Sequence, residues 1–161
     1  MTDTGTQPLW QIAEDPTLPI KDRLNRILFT AMRVLGQDVG MISQVDAQTY
    51  RLVFVTEGTP LRAGQEFPIG NSACGLVLRT GQVKSIDDTE ASAYYQHPAQ
   101  SIIAFRAYIG VPVYVNGGIF GTLNFAGSTR KSKFTASDRE FVDKVGAMVG
   151  DVLDQWIVQC G

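Results

Sequence analysis

Thiol and imidazole groups are the side chains best suited to nucleophilic or metal chemistry, and this sequence has few of them. It contains two cysteines, Cys74 and Cys160, and one histidine, His97. A thiolate can attack an oxidised sulfur and a second thiol can resolve the product, while an imidazole can be an axial haem ligand. One histidine and two distant cysteines do not form a zinc ligand set. The sequence therefore identifies no metal site, and the cofactor is left unknown.

A candidate binding surface follows from side-chain alternation along two strand-like runs around an Asn-Gly turn. With a period of two, Tyr108 on the first run shares a face with Phe120, Thr122 and Asn124 on the second. The residues on the opposite face are uniformly apolar, which is typical of a core surface. An asparagine in a central strand is costly to bury without a partner. We therefore expect this face to form the floor of a ligand cavity.

The segment before this hairpin supplies further candidates for the cavity. Residues 87–105 show no clear periodicity over 19 positions, and a long irregular segment in a compact domain is often a functional loop. The side chains that could line the same cavity are Asp87, Tyr94, Tyr95, His97 and Arg106, together with Cys74 from a short predicted helix.

The composition restricts the class of protein. The chain has 161 residues, of which 44% are hydrophobic and 19% charged, with a net charge of −2. These values suit one domain with a proper core. No basic patch is large enough for nucleic acid, and no apolar run is long enough to cross a membrane. The N-terminus lacks a signal peptide pattern and the cysteine usage suits a reducing compartment, so we expect a cytoplasmic protein.

The elements that must position these side chains can be read along the chain. Residues 1–19 are polar and proline-rich and are predicted to be a flexible lead-in, in which Trp10 and Ile12 could dock. Residues 20–161 are predicted to form a single domain. Helical spacing predicts a helix over 21–35, ended by Gly36. The remaining predicted elements are strands at 39–45, 51–56, 67–69 and 83–86, and a helix at 73–79 capped by Ser72.

The C-terminal third has the clearest pattern. Residues 107–115 and 119–126 flank Asn116-Gly117, a strong hairpin signal. Thr135-Ala-Ser-Asp138 resembles a capping box and opens a helix with a wide apolar stripe. The fold class is therefore mixed α/β of the α+β kind, with a central antiparallel sheet of five or six strands. The terminal helices are expected on one face, with a loop and short helices capping the other.

Three stretches of the sequence resemble the GAF domain family, and the resemblance extends over roughly residues 20–158. The most specific stretch is residues 106–125, with the sequence RAYIGVPVYVNGGIFGTLNF. Residues 74–82 and the Phe134-x-x-x-Asp138 pattern agree with it in order and spacing. The resemblance implies a GAF/PAS-like fold and is nearest to the sensor domains of bacterial, especially cyanobacterial, histidine kinases and cyclases.

The resemblance also implies specific chemistries that can be compared with the residues present. In the free methionine sulfoxide reductases of the family, Cys74 matches one cysteine, but Ser101 stands where the attacking cysteine would be. In the bilin-binding members a Cys-His pair would stand at Tyr95 and Gln96. The motif of the cyclic-nucleotide-binding members is matched only in part, since Arg139 replaces its glutamate.

We therefore interpret the chain as a non-catalytic regulatory sensor domain of a signal-transduction protein. It is expected to bind a small ligand or chromophore, to relay signals through its terminal helices, and to form a homodimer through those helices. An output domain, a kinase or a cyclase, would lie elsewhere in the full-length protein. The alternatives are a dimerisation module without a ligand and, as a further alternative, an enzyme like the free methionine sulfoxide reductases.

Overall fold

The computed structural model describes residues 8–70, 72–88, 105–128 and 134–160, with backbone alone for 158–160. The described part of the chain contains four helices and six strands. In chain order they are α1 (Leu9–Glu14), α2 (Ile20–Leu35), β1 (Val39–Asp46), β2 (Thr49–Val55), β3 (Glu66–Pro68), α3 (Ala73–Thr80), β4 (Lys84–Ile86), β5 (Ala107–Val115), β6 (Gly118–Gly127) and α4 (Ala136–Cys160). No helix among the described residues is long and apolar enough to cross a membrane.

The six strands form one antiparallel sheet in the order β3-β2-β1-β6-β5-β4. The first and last long hairpins are therefore joined side by side, because β1 pairs with β6 at the centre. This confirms the predicted sheet. The sheet has a core on each face: one core contains residues of α1, α2 and α4, and the other contains residues of α3. The helices thus lie on the predicted faces, while residues 89–104, most of the segment predicted to be a loop, lie outside the described residues.

The local signals explain where the elements begin and end. The α2 helix ends at Gly36, whose φ of 67° is left-handed and suits a residue without Cβ. The turn between β5 and β6 has φ of 53° at Asn116 and 78° at Gly117, as a two-residue hairpin turn requires. At the start of α4 the Asp138 N–H donates to Thr135 Oγ1 (3.0 Å) and the Thr135 N–H donates to Asp138 Oδ2 (2.9 Å), so the capping box is complete.

The N-terminal segment differs from its prediction. Residues 8–19 were expected to be part of a flexible lead-in, but Leu9–Glu14 forms the helix α1 and buries Ile12 and Ala13 in the helix-side core. Buried Arg23 ties this segment to the domain: it donates hydrogen bonds to the Ala13 carbonyl and to Gln155 Oε1 of α4. A six-residue helix between prolines shows too little periodicity to be recognised, and its tertiary contacts stabilise it instead.

Helix α4 lies unusually close to strand β5 because two glycines face the sheet. A Cβ atom at Gly150 would lie 2.5 Å from the backbone carbonyl oxygen of Tyr114, and one at Gly146 would lie 2.7 Å from Val111 Cγ1. The contact at Gly150 is with backbone and cannot be relieved by a rotamer change. Helix α4 is therefore held directly against the strand that carries Tyr108.

We predict that Gly150→Ala destabilises the protein by about 1–3 kcal/mol, since the added methyl group overpacks the contact between helix and strand. Helix propensity alone would act in the opposite direction, by about 1 kcal/mol. Urea denaturation of both proteins measures the difference in the free energy of unfolding. Asp151→Ala, at the exposed neighbouring position, is the control and should change stability by less than about 0.5 kcal/mol. A gain of stability in Gly150→Ala would show that α4 does not pack this closely.

Candidate functional site

A small cavity lies between α3 and the face of the sheet opposite the long helices. Its volume is about 50 Å³. It is lined by Met41, Tyr50, Leu52, Leu61, Phe67, Ser72, Ala73, Cys74, Phe105, Tyr108 and Asn124. Most of these side chains are apolar, and none of these described residues is an Asp, Glu, Lys, Arg or His. The cavity is thus an apolar space with a few polar groups in its wall, which is the usual character of a small-ligand site.

A chain of buried hydrogen bonds crosses the sheet beneath this cavity. The Tyr108 hydroxyl donates to Asn124 Oδ1, and Asn124 Nδ2 donates to Thr122 Oγ1 at 2.9 Å. Thr122 Oγ1 lies 2.6 Å from Ser43 Oγ on the neighbouring strand. All four side chains are buried. Hydrogen-bond partners on the sheet itself therefore offset the free-energy cost of burying Asn124. From the sequence alone, partners on the sheet could not be distinguished from partners on a loop that covers it.

A glycine lies at the position where the Tyr108 and Asn124 side chains meet. Gly110 pairs with Asn124 across the two strands. A Cβ atom at Gly110 would lie 2.6 Å from Asn124 Oδ1 and would overlap the Tyr108 hydroxyl. The missing side chain leaves the space in which the tyrosine hydroxyl meets the amide.

The thiol of Cys74 lies beside this chain in the cavity wall. Its Sγ is 3.6 Å from Thr122 Oγ1 and 3.7 Å from the Tyr108 hydroxyl. Burial raises the pKa of the Cys74 thiol, and hydrogen bonds from the neighbouring hydroxyl groups and from the Asn124 amide only partly oppose this effect. The group is therefore a neutral thiol at physiological pH, and its chemical role is that of a weak hydrogen-bonding group.

The predicted site residues divide into three groups. Tyr108, Asn124 and Cys74 line the cavity, and Thr122 lies one hydrogen bond behind them. Asp87, Arg106 and Phe120 are described by the structure but do not line it. Tyr94, Tyr95 and His97 lie outside the described residues.

The placement of Phe120 on the cavity face was wrong. The register pairs Val113 with Gly121 and Tyr114 with Ile119, which leaves Phe120 as an extra residue in a β-bulge. A bulge interrupts the period of two, so Phe120 joins the core under the long helices instead. Gly121 beside it contacts the Ser43 backbone so closely that no side chain fits there.

Asp87 and Arg106 anchor the segment that leads to the cavity rather than lining it. Arg106 Nε and Nη2 donate to the two carboxylate oxygens of Asp88 at 2.9 and 3.2 Å. Asp87 Oδ1 accepts a hydrogen bond from the Phe134 backbone N–H at 3.0 Å. Phe134 is buried and immediately precedes the capping box of α4. Asp87 thus joins the end of β4 to the start of the last helix.

The sequence-based prediction missed the part of the cavity wall that comes from the first hairpin. Met41 and Tyr50 line the cavity, and Ser43 ends the hydrogen-bond chain. These residues face the site because β1 pairs with β6, so that Met41 is opposite Asn124 and Ser43 opposite Thr122. The alternation in 39–45 was a usable signal, but only once β1 is known to be the neighbour of β6.

Comparison with known proteins agrees with this architecture. The GAF domain family matches residues 17–154. The chain belongs to the GAF domain family. A GAF domain of a phosphoenolpyruvate-protein phosphotransferase from Coxiella burnetii is similar, with 15% identity, a TM-score of 0.74, and coverage of 97% of this chain and 98% of that one.

Two further solved structures have the same fold. The free methionine-R-sulfoxide reductase from Neisseria meningitidis is 21% identical, with a TM-score of 0.74 and coverage of 95% of this chain and 89% of that one. The GAF domain of a two-component sensor histidine kinase from Bacillus halodurans is 16% identical, with a TM-score of 0.67 and coverage of 87% and 97%. GAF domains with this fold therefore serve both in signalling proteins and in an enzyme. Among the described residues of this GAF domain, no group of three or more His, Cys, Asp or Glu side chains could hold a metal ion.

We predict that Tyr108→Phe lowers the free energy of unfolding by about 1–3 kcal/mol, because Asn124 Oδ1 loses its donor while remaining buried. Tyr114→Phe is the matched control on the same strand, since Tyr114 is 47% exposed. It should change stability by less than about 0.5 kcal/mol. Urea denaturation measures both variants. Equal small effects would mean that the tyrosine–asparagine bond contributes nothing to folding.

The Cys74 thiol predicts a pH dependence of stability. Its pKa is raised in the folded state, so above the unfolded-state pKa of about 8.5 the unfolded chain loses a proton that the folded protein keeps. Stability is then unaffected by this group below that pH and falls above it, by up to about 1.4 kcal/mol per pH unit. Denaturation between about pH 7.5 and 9.5 measures the slope. Cys74→Ala should remove this component, and identical slopes in both proteins would contradict the assignment.

Proposed function

We propose that this GAF domain is a non-catalytic regulatory sensor of a cytoplasmic signal-transduction protein. A small ligand would occupy the cavity between α3 and the sheet, and the signal would leave through the terminal helices to an output domain such as a kinase or cyclase. The observation that carries this proposal is the pairing of an apolar cavity with a buried polar chain in its wall. The polar groups in such a wall can select a ligand by the arrangement of its hydrogen-bonding groups, which a purely apolar wall cannot do.

A route from the cavity side to α4 supports the relay. Asp87 binds the backbone directly before the capping box of α4, and Asp88 binds Arg106 at the start of β5. Asp87 and Asp88 thus connect the end of β4 to the start of α4 and to the start of β5. A ligand that displaces β4 or β5 would therefore act on the first turn of α4. The effect on signalling is limited to the difference in the ligand's affinity for the two helix arrangements.

The enzyme alternative comes from the reductase neighbour, whose structure was solved in complex with its substrate. The features of this chain favour binding over catalysis. A nucleophilic cysteine needs a depressed thiol pKa, whereas burial raises that of Cys74. The neighbours Tyr108, Asn124 and Thr122 are also neutral, so the described wall offers no acid or base for proton transfer.

Homodimerisation is the second candidate, and a specific observation favours it. Several large apolar side chains on the long helices remain partly in water: Phe29 is 48% exposed, Val34 64% and Ile157 38%. Helix pairing between two copies would bury some of these side chains. A dimer is compatible with ligand sensing, because the same helices would then carry the signal to both output domains. A module that only dimerises would need no ligand.

The deciding experiment is native mass spectrometry, with an absorption spectrum, of the protein purified from its own host. We predict a bound mass that is lost on denaturation, and its loss from Ala73→Leu, because Ala73 lines the cavity and a larger apolar side chain fills it. Ala147→Leu on the exposed side of α4 is the matched control and should keep the bound mass. A colourless protein of dimer mass with nothing bound would instead favour the module that only dimerises.

A further inference from the structure

The loop between β2 and β3 reaches the cavity through one side chain. This loop, residues 56–65, connects two strands at the edge of the sheet, where β3 is the last strand. Leu61, near the middle of the loop, is 2% exposed and lines the cavity. It belongs to the same core as Cys74 and Tyr108. The loop therefore supplies part of the cavity wall.

Both ends of the loop are fixed to the sheet by hydrogen bonds. At the first end the Thr56 N–H donates to the Gly40 carbonyl, and the Gly40 N–H donates to Thr56 Oγ1, both at 3.0 Å. At the second end the Gly64 N–H donates to the Leu52 carbonyl at 2.7 Å. The segment between these anchors, residues 57–63, is named the flap.

The hydrogen bonds of the flap stay within the loop. Arg62 Nη1 donates to the carbonyl oxygens of Thr59 at 2.7 Å and Leu61 at 3.0 Å. The Leu61 N–H donates to Thr59 Oγ1 at 3.3 Å, and the Arg62 N–H donates to Gln65 Oε1 at 2.9 Å. Within the described part of the chain, no hydrogen bond or ion pair joins the flap to another element. Leu61 is also the only buried residue of the flap, so its apolar contacts in the cavity wall hold the flap closed.

A glycine with positive φ stands near each end of the flap. The φ of Gly58 is 114° and that of Gly64 is 99°. An added Cβ atom at either position would meet no non-neighbouring atom of the described residues within 4 Å. The backbone conformation, rather than close packing, therefore favours glycine at both positions. A few loop positions of this kind can absorb the change in φ and ψ when a segment swings outward.

We propose that the flap is an entrance to the cavity and that Leu61 closes it. When the flap turns outward between its anchors, Leu61 leaves the wall and the cavity opens at the edge of the sheet formed by β2 and β3. This movement exposes one leucine and breaks no described hydrogen bond to the rest of the domain. A local opening of this kind needs less free energy than global unfolding. The inference rests on the proposed function only in taking the cavity as the ligand site.

Alkylation of Cys74 by iodoacetamide measures the opening without any ligand, because the buried thiol reacts only after the reagent enters the cavity. Cys160→Ser leaves Cys74 as the only cysteine of the chain. At about pH 8 an accessible thiol is partly ionised and reacts. We expect a labelling rate that hardly changes with urea below the unfolding transition, since opening the flap exposes little surface. A rate that rises with urea as steeply as global unfolding does would overturn the entrance.

Two matched variants of this protein test whether the flap is the part that opens. Leu61→Ala and Leu52→Ala delete the same atoms from the cavity wall, and both leucines are buried, but Leu52 lies on strand β2. We expect Leu61→Ala to raise the labelling rate at least about tenfold, because the closed flap loses its buried side chain. Leu52→Ala should raise it by less than about threefold, since the flap keeps Leu61. Equal increases would show that the reagent enters by another route.

The outcomes separate the entrance from the sensor function itself. A bound mass in native mass spectrometry, without labelling through the flap, would overturn the entrance and leave the sensor function standing. Labelling through the flap, with no bound mass, would support the entrance and count against the sensor function. The urea dependence needs neither leucine variant, so the test does not depend on how well those variants fold.

Discussion

The hydrogen bond between Tyr108 and Asn124 is the constraint on which the rest of this domain depends. An amide at the centre of a sheet is tolerable only if both its oxygen and its nitrogen are partnered. These partners are Tyr108 on β5 and Thr122 on the same strand as Asn124, and Thr122 in turn bonds to Ser43 on β1, so the polar chain joins β5, β6 and β1. Gly110 suits the same bond, since a Cβ atom there would displace the Tyr108 hydroxyl or the Asn124 amide. The hydrogen-bonded residues at the cavity are thus the same residues that join the central strands of the sheet.

The two faces of the sheet differ in polarity, and this difference explains which features could be predicted from the sequence. The helix-side face is apolar throughout, so periodicity identified α2, β5, β6 and α4 with nearly the observed bounds. The other face mixes apolar and polar residues, and its contacts depend on which strands are neighbours. Asn124 was recognised because its residue type is unusual at a buried position. Ser43 was not recognised, because a serine on a strand is common at exposed positions and carries no free-energy cost there. The neighbouring sequence also does not show that Ser43 lies opposite Thr122.

The prediction for Phe120 failed because tertiary structure overrides a local rule. Phe120 was assigned a face from strict alternation, whereas the register of β5 and β6 places it in a bulge. Gly121 beside it approaches the Ser43 backbone too closely for a side chain. The binding roles predicted for Asp87 and Arg106 remain predictions: among the described residues, Asp87 accepts a hydrogen bond from the Phe134 N–H and Arg106 donates to Asp88.

The energetics of a ligand-driven relay constrain how such a sensor could work. Moving an equilibrium from 1:99 to 99:1 takes about 5.5 kcal/mol of differential affinity, so the ligand would have to bind one helix arrangement about ten-thousand-fold more tightly than the other. A domain of this kind therefore works best when its two helix arrangements are close in free energy, so that a modest preference of the ligand shifts their populations and the response is graded.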